Sequence, residues 1–61
     1  MDNATFQKIS KAMTVAEKQA ARRKGRRLTP DQMEAIDEAV CRKFGTNGDD
    51  FFLACMERAV V

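Results

Sequence analysis

Six basic residues in a run of ten, Lys18, Arg22, Arg23, Lys24, Arg26 and Arg27, form the densest cluster of chemistry-bearing side chains in the sequence. Their chemistry is anion binding. Guanidinium and ammonium groups hold phosphates by charge and by charge-assisted hydrogen bonds, and each phosphate contact on a nucleic acid releases counterions. Lys18, Arg22 and Arg26 are spaced by four, and Arg23 and Arg27 make a parallel row one residue along. On a continuous helix these rows are adjacent, so five cations would share one broad face. Like charges held so close call for an anionic partner, which points to the backbone of DNA or RNA or to an acidic protein surface. Two plainer roles compete: cations suit the negative end of a helix, and they can pair with acids such as Asp37 or Glu38 across a dimer.

Other chemistries are poorly supplied. The chain has no His, so no nucleophile has an imidazole base. Its two cysteines, Cys41 and Cys55, fall short of the four ligands of a structural zinc site. Asp37, Glu38, Asp49 and Asp50 lack the glycine-containing spacing of a calcium loop. No enzymatic activity, cofactor, metal or small-molecule substrate is therefore expected. The four aromatics, Phe6, Phe44, Phe51 and Phe52, lie outside the basic run. Base stacking on a single-strand platform is thus unsupported, and backbone contact remains. Ala21 and Gly25 have a spacing seen at helix-turn-helix turns, but the next helix carries Asp31, Glu34, Asp37 and Glu38. Those acids would face phosphates in a major groove, which argues against groove readout by that helix. Arg26 and Arg27 form a short arm of the kind that enters minor grooves.

The charge divides the chain in two. Residues 1–27 carry eight Lys/Arg against two acids, a net of +6, and residues 28–61 carry three against seven, a net of −4. A basic N-terminal helix and arm (1–27) thus precede an acidic helical pair (28–61) within a single domain. With 61 residues and 44% hydrophobic content, nine of those being alanine, the core is thin. Small domains compensate with disulfides, metals or partner subunits, so a homo-oligomer is expected. The N-terminus MDNATFQKIS lacks the apolar stretch of a signal peptide, which predicts a cytoplasmic protein with reduced thiols. No apolar run reaches membrane-spanning length, and the face opposite the cations is mostly alanine, so no membrane partner is expected.

The periodicity is helical throughout. The sharpest element is predicted at 30–44: Thr29 as N-cap, Pro30 at the first helical position, Gln32 completing a capping box, and Leu28 and Met33 as a hydrophobic staple. Met33, Ile36, Val40 and Phe44 form its stripe, and Gly45 is placed to end it. Gly45-Thr46-Asn47-Gly48 reads as a turn, with Asn47 or Asp49 capping a helix over about 49–60 whose apolar face is Phe52, Cys55, Met56 and Ala59. The short connection predicts an antiparallel hairpin. Phe6, Ile9, Met13, Ala16 and Ala20 predict a helix over about 4–24, ended by Gly25. Thr14 to Glu17 also matches a capping box, which would fit a break near Met13, but the helix-forming composition favours continuity.

The predicted fold is all-α, a long N-terminal helix plus a helical hairpin. The expected core is Phe6/Ile9/Met13, Met33/Ile36/Val40/Phe44 and Phe52/Cys55/Met56. Placing Phe52 in the core turns Phe51 outward beside Leu53, and these two with Phe6, Ile9 and Met13 are the expected protein-interface residues. Two functional expectations follow. One is a small non-enzymatic regulator that binds nucleic acid through Lys18, Arg22, Arg23, Lys24, Arg26 and Arg27. The other is a protein-binding inhibitor or adaptor, of the type found in phages and plasmids, docking through the basic helix or the Phe51–Leu53 edge.

Overall fold

Asp2 opens the first helix by accepting a 2.7 Å hydrogen bond from the Thr5 amide, one of the donors that a helix start leaves unpaired. The computed structural model describes residues 1–59. It holds three helices, α1 (Asn3–Lys24), α2 (Pro30–Lys43) and α3 (Gly48–Ala59), and no strand among the described residues. The expected end of α3 at residue 60 lies outside the described residues. None of the helices is long and apolar enough to cross a membrane.

Helix α1 runs unbroken through Met13 for 22 residues. The capping-box pattern at Thr14 goes unused: the Thr14 hydroxyl donates instead to the Ser10 carbonyl, 3.1 Å away in the preceding turn. At 1.5 Å per residue such a helix is about 33 Å long, and it sets the 37 Å long axis of the molecule. Gly25 ends it at φ 77°, with its amide bonded to the Ala21 carbonyl at 2.9 Å. That left-handed conformation costs a residue with a Cβ about 1–2 kcal/mol, so glycine is the natural occupant.

The start of α2 is fixed by the predicted box. The Gln32 amide donates to Thr29 Oγ1 at 3.2 Å, and Gln32 Oε1 accepts from the Thr29 amide at 3.0 Å. Its end is a Schellman turn: the Thr46 amide bonds the Cys41 carbonyl and the Gly45 amide, at φ 78°, bonds that of Arg42. Asn47 starts α3, its Oδ1 accepting from the Asp50 amide at 2.8 Å. The Glu38 carboxylate adds a bond from the Gly48 amide at 2.6 Å, so a side chain of α2 fastens the first turn of α3.

The core is a cluster of Ile9, Met13, Val40 and Cys41, with Ala12, Ala16 and Phe51 packed against it. Ala54 is buried on α3, and no buried residue among those described is polar or charged. Ala12 and Ala16 of α1 pack against this cluster, so the α1–α2 contact is made where large side chains are few.

Several expected core members lie outside this cluster. Phe52 is 63% exposed, Met56 50%, Phe44 42% and Met33 39%. The inward face of α3 is instead Phe51, Ala54 and Arg58. The Phe51 ring stacks on Phe6 at 4.9 Å between centroids, and the Arg58 guanidinium lies 4.0 Å above the same Phe6 ring. With Phe6 between them, Phe51 rather than Phe52 is held against α1. Ile9 and Met13, expected at a protein interface, are buried inside the chain's own core. The seam faces α2, so Ile9 is closed to any partner and Met13 keeps only a 7% exposed edge.

Candidate functional site

The last turn of α1 carries Arg22, Arg23 and Lys24, where its unpaired carbonyls concentrate negative potential. The helix stops there, so the single face of five cations expected from the spacing is not formed. Arg26 and Arg27 lie beyond Gly25, in the segment between α1 and Thr29. Lys18, Arg22, Arg23, Arg26 and Arg27 are all exposed. Among the described residues none of these five is within ion-pair distance of an acid. The one ion pair among the described residues joins Arg42 to Glu38 at 3.3 Å. Lys24 is held differently: its Nζ donates to Gln32 Oε1 at 2.6 Å, the oxygen that also closes the capping box. The cap of α2 thereby anchors the end of α1. Sequence reasoning found Gln32 as a cap but missed this second role, which depends on α1 and α2 lying side by side.

Beside the cations is a hollow of about 540 Å³ floored by Ala20, Leu28, Ala35 and Ile36, with Arg23 and Lys24 at its edge. The basic end can therefore present charge next to a shallow apolar floor. It holds no imidazole and no nucleophile–base pair.

The acids form a separate region. Glu38 is occupied by Gly48 and Arg42. Asp37 faces Glu17 across the α1–α2 contact. Asp37 Oδ1 is buried and receives no hydrogen bond from an ordinary donor. Two ionised carboxylates cannot bond one another, so a hydrogen bond between them requires a proton on one of the pair. The hydrogen bond with Asp37, then burial, then the Asp37 charge push the Glu17 carboxyl up to about 7. No group of three or more His, Cys, Asp or Glu arranged to hold a metal occurs among the described residues. Cys41 is buried and Cys55 partly so, both as free thiols. Burial first, then the charges of Glu38, Asp37 and Cys55, raise the Cys41 thiol, so it is a packing residue of low reactivity.

The interface residues expected at 51 and 53 separate. Phe51 is half-buried on Phe6, while Leu53 is 55% exposed, next to the exposed Phe52 that the sequence placed inside. Phe52 also borders a groove of about 590 Å³ reaching from α2 to α3 over Met13. The signal for the groove was present in the sequence as the surplus of apolar residues at 51–56, more than one helix face can bury. No protein-family model, curated protein or solved structure matches the chain.

Proposed function

We propose that this protein is a small non-enzymatic cytoplasmic regulator that binds nucleic acid through phosphate contacts at its basic end. The observation that carries this reading is the state of Lys18, Arg22, Arg23, Arg26 and Arg27: five exposed cations over the last two turns of α1 and the segment after it, with no acid within ion-pair distance among the described residues. Internal pairing, the plainest alternative for such a run, is thereby unsupported. Lys24, bridged to Gln32, keeps its charge at the same end and sets the position of α2. Aromatics are absent from the surface of the run, so affinity rests on the backbone and varies little with base sequence.

The test is the salt dependence of binding to a short DNA duplex and its RNA counterpart. Five phosphate contacts on duplex DNA give a log–log slope of about −4.5, and changing Arg22, Arg23, Arg26 and Arg27 together to Ser reduces it to about −1. A flat dependence in the wild-type protein, or no binding at low salt, refutes the proposal.

A second reading is favoured by a different observation, the exposure of Phe52 and Leu53 at 63% and 55%. Adjacent large apolar side chains on a surface mark protein docking, as in an adaptor or inhibitor anchored by this edge. Phe51, turned inward on Phe6, supports the edge from below. Loss of a protein partner on Phe52→Ser, with nucleic-acid binding intact, separates the two roles. A protein partner unaffected by Phe52→Ser and Leu53→Ser removes the second.

A further inference from the structure

The groove bordered by Phe52 combines an apolar floor with an edge of one charge. Its floor is Met13, Phe51 and Cys55, and Met33 and Phe52 rise as exposed walls from α2 and α3. Glu34 and Asp49 stand exposed at the edge, and Asp37 and Glu38 line it further in. No Lys or Arg lines it. Its volume of about 590 Å³ lies within the roughly 300–1,000 Å³ spanned by ligand clefts, and it is partly open to solvent. Methionine on both floor and wall makes a surface that adapts to the side chains it receives.

We propose that this groove binds an amphipathic helix of another protein, one whose apolar anchors at i, i+3, i+4 and i+7 are flanked by Lys and Arg. The inference deepens the second reading above and rests on it, by naming the chemistry of the partner and the side chains that meet it. Helix-in-groove recognition uses that anchor spacing, and the acidic edge favours cations beside the anchors over carboxylates. A second copy of this chain fits poorly. Face-to-face pairing would set Glu34 and Asp49 against the same acids of the other copy. The chain's own basic segment, Lys18 to Arg27, offers only Ala20 and Ala21 as apolar side chains, too small to fill a groove walled by Met33 and Phe52. Leu28, just beyond the run, is half-buried.

The experiment uses two fluorescent probes: an 18-residue amidated peptide of Leu and Lys with Leu at the anchor spacing, and its twin with Glu in place of Lys. Titration with the full chain is followed by anisotropy. The Leu/Lys peptide should bind at least tenfold more tightly than the Leu/Glu twin. Phe52→Ser and Met33→Ser should each weaken it about tenfold, as loss of one anchor contact does. The double variant Glu34→Lys, Asp49→Lys should invert the preference between the two peptides. The Ser variant at Arg22, Arg23, Arg26 and Arg27 should bind the Leu/Lys peptide no more weakly than wild type. All the substituted positions are exposed, and circular dichroism checks that each variant is folded. If Phe52→Ser leaves Leu/Lys binding unchanged, the attraction is unspecific charge and the proposal falls. If the Leu/Glu twin binds instead, with the same dependence on Phe52, this inference falls while the docking edge stands. A dimer formed without peptide and abolished by Phe52→Ser assigns the groove to a second copy and overturns the proposal.

Discussion

Arg58 does what no helical pattern announces. Its guanidinium covers the Phe6 ring at 4.0 Å, donates to Asn3 Oδ1 at 2.9 Å and reaches the Ala54 carbonyl at 3.1 Å. It therefore ties the last turn of α3 to the first turn of α1. Cation–π contact and a forked donor set are arginine's particular strengths. Glu17 is a second residue whose behaviour comes from a neighbour across the fold. Its pKa rises from 4.5 to about 7 in the folded chain, so the folded state holds a proton that the unfolded state has released. Stability from this contact is complete below about pH 4.5 and is lost as pH rises through 7. Asp2 acts with the opposite sign. The Thr5 hydrogen bonds lower its pKa below 3.8, so its contribution is present above that value and lost on further acidification. With no His in the chain, the interval from pH 5 to 7.5 isolates Glu17. Thermal melts should show a melting temperature that falls across this interval, and Glu17→Gln, which keeps a donor toward Asp37, should flatten the fall. An unchanged slope in Glu17→Gln would remove the shared proton from the account.

At the level of elements, legibility followed the caps. Thr29, Pro30, Gln32 and Gly45 sit at fixed offsets and act locally, so α2 was predicted within a residue of its observed end. Gly25 likewise ends α1 where the sequence placed it. The unused pattern at Thr14 shows the limit, because a capping box inside a strong helix-forming run has no reason to open. Helix α3 starts within a residue of the expected position, but its rotation differs. Residues 51–56 present apolar side chains on nearly every side, and the choice between Phe51 and Phe52 was made by Phe6, which is more than forty positions away in sequence. The basic site was legible as composition. Its division into a helix end and a separate arm depended on Gly25, and the acid-edged groove depended on the rotation of α3. Capping has a measurable consequence here. Thr29→Ala should cost about 1 kcal/mol by losing the Gln32 amide bond. Gly25→Ala should cost about 1–2 kcal/mol from backbone conformation alone, because a Cβ there would meet nothing within 4 Å. Chemical denaturation with unchanged m-values tests both, and a neutral Gly25→Ala would show that the end of α1 relaxes freely.

The whole molecule has a thin core and two exposed features, the basic residues at 18–27 and the apolar side chains around Phe52. Its buried set is Ile9, Met13, Val40, Cys41 and Ala54, and a domain of this size has a stability of roughly 3–9 kcal/mol. A ligand that binds only the folded chain adds about 2.7 kcal/mol at a hundredfold excess over Kd, a large fraction of that total. For a domain of about 60 residues each kcal/mol moves the melting temperature by roughly 4–8 °C. A short DNA duplex at a hundred times Kd in low salt should therefore raise the melting temperature by on the order of 10–20 °C. At 0.5 M NaCl the same duplex should have almost no effect, because phosphate contacts weaken steeply with salt. The Leu/Lys peptide should raise it too, and with less loss at high salt, since its anchors are apolar and salt screens only the flanking charges. The four-arginine Ser variant should lose the duplex effect and keep the peptide effect, while Phe52→Ser should do the reverse. Calorimetry or dye-based melting on the three proteins with the two ligands measures every arm. Loss of both effects in both variants would mean a single shared surface on which the basic residues and Phe52 act together.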